Sequence, residues 1–169
     1  MSSSVRLNYH EAGHALIARA LGRPLDLVAL GPDGGMIKAT SPLAGEGSPE
    51  ALEESLVVTF AGEIAERYAP SSPLSMSAAL HADSNGGPDP FAGLLTTSEH
   101  ELTEQPSDDE LVEHYRARLG DEVIERARAL AVELVDRKAV LGDLELVADR
   151  LLLAGLLTSD DLDRILAHA

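Results

Sequence analysis

The sequence predicts a mainly α (α+β) fold, a set of packed helices with one small β-hairpin beside the first of them. Three observations predict it. Apolar residues recur at helical spacing over 48–68 and again over 107–166. A Pro32-Asp33-Gly34-Gly35 turn separates two short apolar runs near the N-terminus. Aromatic residues make up only 3% of a chain that is 44% hydrophobic, so the core must be built from Leu, Val, Ile and Ala. The 169 residues fit one domain over 1–169, with 70–106 as a long irregular insertion within it.

Taken in order, the first helix is expected from an N-cap at Asn8 to Gly22, where Gly22-Arg23-Pro24 supplies conventional stop chemistry. Residues 25–30 and 36–40 read as the strands of the hairpin. An open strand edge there has backbone groups that can hold an extended peptide, while the plainer reading is that the hairpin only covers the core. Ser48-Pro49-Glu50 then gives an N-cap, a proline at the first helical position and an early acid. The helix that follows to about Tyr68 carries Leu52, Leu56, Phe60 and Ile64 along one stripe. Ala61-Gly62 makes a small-residue notch in it that fits against Ala12-Gly13 of the first helix, giving both helix glycines one explanation.

Ser, Pro, Gly and Asp dominate 70–106, and its His81, Asp83 and His100 stand at no ligand spacing, so they read as solvated loop groups. From Ser107 the pattern is helical again. Ser107-Asp108-Asp109-Glu110 caps a helix ending near Gly120, and a second spans 121–140. A break at Leu141-Gly142-Asp143 precedes a third through Leu153, and Thr158-Ser159-Asp160-Asp161 caps a last one over 162–166.

Charge and composition exclude several functions. Thirteen Lys and Arg against twenty-nine Asp and Glu leave a net charge of −16, which repels nucleic acid and anionic membrane surfaces. Cysteine is absent, so a metal would have to be held by His and carboxylate. No apolar run approaches the roughly 18–20 residues of a membrane span, and Met1-Ser2-Ser3-Ser4 does not open a signal peptide. The expected location is cytoplasmic.

The chemistry concentrates in Tyr9-His10-Glu11-Ala12-Gly13-His14. One helical turn separates His10 from His14, so both imidazoles can reach one ion, which is the spacing of zinc ligands. Glu11 projects beside them and is the candidate general base. Chance would give this three-residue pattern with a probability of roughly 0.02 for such a composition. Two histidines leave a tetrahedral zinc short of a third protein ligand. The residues alone leave Glu63 or Glu66 from the following helix, or Asp108 or Asp109 at a helix start, open for that place. Ile17 and Ala20 stand where a metzincin continuation needs Gly and His.

These stretches resemble the proteolytic domain of the FtsH-type ATP-dependent zinc metalloproteases. The likeness lies in His10-Glu11-Ala12-Gly13-His14-Ala15 with Gly22-Arg23, in Phe60-Ala61-Gly62-Glu63-Ile64-Ala65-Glu66, in Ser107-Asp108, and in the closing helices from about Asp121 to Ala169. It covers most of the chain outside 70–106. The resemblance implies a metalloendopeptidase with Zn2+ on His10, His14 and Asp108, Glu11 as its base, and unfolded or peptide substrate. Asp83 lies at a more family-like distance from Ala61-Gly62, but Gly86-Gly87-Pro88 follows it and cannot open the expected helix. The family works as rings with an ATPase module, implying a homo-oligomer or a separate ATPase partner. This chain carries no Gly-x-x-x-x-Gly-Lys-[Ser/Thr] loop, so ATP-driven unfolding is not expected of it. The alternative expectation is a non-catalytic helical interaction module that keeps a structural or regulatory zinc site.

Overall fold

The computed structural model describes residues 3–31, 34–39, 47–70 and 106–167. The expectations for 71–105, including His81, Asp83 and His100, lie outside the described residues. Elements are numbered in chain order over the described residues. Helix α1 runs Ser3–Ala20. It starts before the expected cap, and Asn8 is a fully buried residue inside it. The reason is an apolar stripe that begins earlier than Asn8: Val5, Tyr9, Ala12 and Leu16 are all buried in the core at helical spacing.

The hairpin forms as expected, with β1 at Leu25–Gly31 and β2 at Gly34–Ala39 in antiparallel register from Leu25↔Ala39 to Gly31↔Gly34. A third strand, β3 at Leu156–Thr158, joins the far edge of β1 and gives the order β2-β1-β3. Sequence reading took Thr158 only as a cap. Three residues are too few to show a strand period, and Leu157 pairs with Val28 because both bury into the common core.

Helix α2, Pro49–Ala65, starts at the expected Ser48 cap, whose side chain accepts the Ala51 N–H. Eleven of its 17 residues are buried, so it is apolar nearly all round and runs through the middle of the molecule. A short 3-10 turn, Glu66–Tyr68, extends it. Helix α3, Asp108–Leu119, opens with a complete capping box: Ser107 Oγ accepts from the Glu110 N–H and the Glu110 carboxylate accepts from the Ser107 N–H.

Helix α4 covers Asp121–Val135 and α5 covers Lys138–Ala154. The break between them falls at Asp136-Arg137, where Arg137 turns extended, and not at 141–143. Gly142-Asp143 is helical because Val140, Leu144, Val147, Ala148 and Leu151 make one core-facing stripe across it, which outweighs the roughly 1 kcal/mol cost of a helical glycine. Helix α6, Ser159–Ala167, closes the described chain. Thr158 and Asp161 cap it reciprocally, Thr158 Oγ1 accepting from the Asp161 N–H and Asp161 Oδ2 from the Thr158 N–H. One apolar cluster joins the six helices of the described residues with β1 and β3. No helix among the described residues is long and apolar enough to cross a membrane.

Candidate metal centre

The site lies where α1, α2 and the first turn of α3 meet. Helices α1 and α2 approach closely because neither has a side chain at the crossing. A Cβ on Gly13 would stand 2.5 Å from Ala65 Cβ and 2.7 Å from the Ala61 carbonyl oxygen. A Cβ on Gly62 would stand 2.6 Å from His14 Nε2 and 2.8 Å from His10 Nε2. The notch legible in the sequence therefore has two uses, one for packing and one for leaving space beside both imidazoles. Helix α3 is held against this pair by Tyr115, which is fully buried two turns after Asp108 and bonds to the Ser55 side chain of α2.

That placement brings Asp108 Oδ2 to 3.0 Å from His10 Nε2 and 3.2 Å from His14 Nε2. The three atoms form a cluster able to hold a metal ion. Zinc bonds of about 2.0–2.1 Å at tetrahedral angles put neighbouring ligands roughly 3.3–3.4 Å apart, close to these separations.

The hydrogen bonds behind the imidazoles decide which atoms face inward. His14 Nδ1 lies 2.7 Å from the Val58 carbonyl oxygen, and a carbonyl can only accept, so Nδ1 carries the proton. His10 Nδ1 lies 2.8 Å from Glu66 Oε1, whose other oxygen pairs with Arg6 at 3.1 Å. In its neutral form each ring then presents a bare Nε2 lone pair to a carboxylate oxygen that is itself buried without a well-formed hydrogen bond. Three lone pairs converging in this way suit a divalent cation, and zinc is one that such a donor set fits.

Without one, a proton must serve. Burial alone would lower the His10 pKa, but the Asp108 and Glu66 carboxylates outweigh it and raise it to about 9. Burial would raise Asp108; the two imidazoles instead hold it well below the usual carboxylate range. Glu11 is 4% exposed and one of its carboxylate oxygens meets no protein partner. Burial pushes its pKa up, with Asp108 adding to the rise and His14 and His10 opposing it. A carboxylate so raised takes up a proton more readily than one in water.

The other third-ligand candidates stand apart from the cluster. Asp109 is exposed, and Glu63 is exposed and pairs with Arg67 and Arg128. Glu66 reaches His10, but at Nδ1, on the side away from the cluster. Its part as the partner of His10, and that of Arg6, were missed from sequence. Both had a signal: Arg6 precedes His10 by one helical turn, and Glu66 follows Gly62 by one. Compared with known proteins, the chain matches no family and no curated relative.

Proposed function

We propose that this chain is a zinc-dependent metallopeptidase, related to the FtsH-type peptidase domain, that hydrolyses peptide bonds in unfolded or peptide substrates. The observation that carries the proposal is the meeting of His10 Nε2 and His14 Nε2 of α1 with Asp108 Oδ2 of α3, from stretches far apart in the sequence, with the buried Glu11 carboxylate in their electrostatic field. A purely structural site has no need of that carboxylate.

When bound, zinc supplies Lewis acidity towards a peptide carbonyl and towards water. His10, His14 and Asp108 hold the ion, and Val58 and Glu66 fix the two rings in the tautomer that presents Nε2. Glu11 takes the proton of the attacking water and returns it to the leaving amine, work for which its raised pKa suits it. The Asp108 side chain is 35% exposed, while its oxygen facing the imidazoles is buried. By the same resemblance, the partners are further copies of the chain or a separate ATPase that delivers unfolded substrate.

The test is Glu11→Gln. It keeps zinc at wild-type stoichiometry and loses about 10²–10⁴-fold in cleavage of an unstructured polypeptide, the usual range for a missing acid–base group. His14→Ala loses both metal and activity. Zinc binding with no chelator-sensitive cleavage by the wild type would overturn the peptidase reading in favour of a regulatory zinc module.

A further inference from the structure

Asn8 is a fully buried polar side chain of α1, two residues before His10, that the proposed chemistry leaves unused. Neither its Oδ1 nor its Nδ2 meets a protein partner. An uncompensated buried amide costs roughly 1–3 kcal/mol, and an apolar residue at this point of an apolar interface would avoid that cost.

Three residues on, Glu11 Oε2 is also buried without a partner. Side chains at i and i+3 of a helix are neighbours, about 5–6 Å apart at Cβ. Helical side chains also lean towards the N-terminus, so Glu11 reaches back over the turn that carries Asn8. The two groups do not bond each other, and a single bridging water would satisfy both. Asn8 can donate or accept towards it, Glu11 can accept from it, and together they satisfy atoms that no protein group satisfies. Ala12 and Ala15, fully buried on the same side of α1, are small and offer neither group a side-chain partner.

We propose that Asn8 is a positioning residue, holding an internal water that fixes the Glu11 carboxylate in the orientation from which it works as a base. The kinetic consequence rests on the peptidase reading; the water site does not. The decisive variant is Asn8→Leu, of similar volume and apolar. A merely structural asparagine, once replaced, leaves turnover unchanged.

Two readouts on the zinc-loaded full chain test this. In nitrogen-edited NOESY and ROESY spectra the Asn8 side-chain amide protons show cross-peaks to a long-lived water, and Glu11→Leu removes them. In kinetics, Asn8→Leu keeps its zinc and its melting temperature and leaves KM unchanged, but lowers kcat about tenfold or more, as misplacement of a reacting group does. Asn8→Ser, which keeps a small donor and acceptor, recovers most of that loss. Wild-type kcat in Asn8→Leu, or an Asn8 amide without water cross-peaks, overturns the proposal. If the wild type binds zinc but cleaves nothing, the peptidase reading fails alone. The cross-peaks and their loss in Glu11→Leu then decide whether the water site exists.

Discussion

Replacing Gly13 by alanine sets two effects of known size against each other. In an isolated helix the change stabilises by about 1 kcal/mol, because glycine is the poorer helix former. Here the new methyl would lie 2.5 Å from Ala65 Cβ and 2.7 Å from the Ala61 carbonyl oxygen, whereas carbon atoms pack best at about 3.5–4.0 Å. One obstacle is backbone and the other is a methyl fixed to backbone, so neither can rotate away. Helices α1 and α2 must separate by about 1 Å, and overpacking of that kind costs about 1–3 kcal/mol or more. Because neither obstacle can move, the upper part of that range, about 2–3 kcal/mol, applies; less the gain of about 1 kcal/mol the net loss is about 1–2 kcal/mol, which in a chain of this size lowers the melting temperature by roughly 2–8 °C. Thermal unfolding followed by circular dichroism, on chelator-treated protein, reads the fold without the metal. Gly142→Ala is the control. It sits in α5 with nothing within 4 Å of the added Cβ and should gain up to about 1 kcal/mol. A Gly13→Ala protein as stable as wild type would refute the close crossing from which the site is built.

The remaining expectations concern the metal centre. Gly62→Ala puts a methyl against both Nε2 atoms; an overpacking cost of about 1–3 kcal/mol should weaken zinc binding roughly 5- to 150-fold by titration calorimetry. Glu66→Ala takes the acceptor from His10 Nδ1 and should cost about 10–100-fold in zinc affinity, with Glu66→Gln milder because an acceptor oxygen remains. Metal-free protein should lose stability as pH rises. His10 has its folded pKa raised from 6.5 to about 9, so its contribution, at most about 3 kcal/mol, is complete below 6.5 and gone above 9. Melting temperatures from pH 6 to 9.5 test this, and zinc should reverse the trend, since the metal competes with the proton for the same nitrogen.

The fold was legible wherever local chemistry sets it: at the Ser48 and Ser107 caps, in the two strands of the hairpin, and in the stripe of α2. The errors share one physical origin, that long-range burial overrode local signals. Asn8 has the chemistry of a cap, but Val5 extended the apolar face past it. Gly142-Asp143 looks like a stop, but the stripe on either side carried the helix through. Strand β3 has no period to read and exists because β1 had an unsatisfied edge. Of the site, the imidazole pair and Glu11 follow from helical spacing alone. Asp108 needed either the family resemblance or the coordinates, since nothing local ties residue 108 to residue 10. Glu66 was in view only as one alternative for the third ligand, because spacing gives a side chain's reach and not which nitrogen it meets.

The pairing of β1 with β3 has a consequence for how the molecule is made. Residues 27–29 wait for 156–158, so during synthesis the middle strand remains half-paired until the ribosome has delivered the helices between them. The sheet against α1 is thus completed late. A nascent chain stalled before Leu156 would display an unpaired strand edge, the kind of surface that chaperones bind and that drives aggregation.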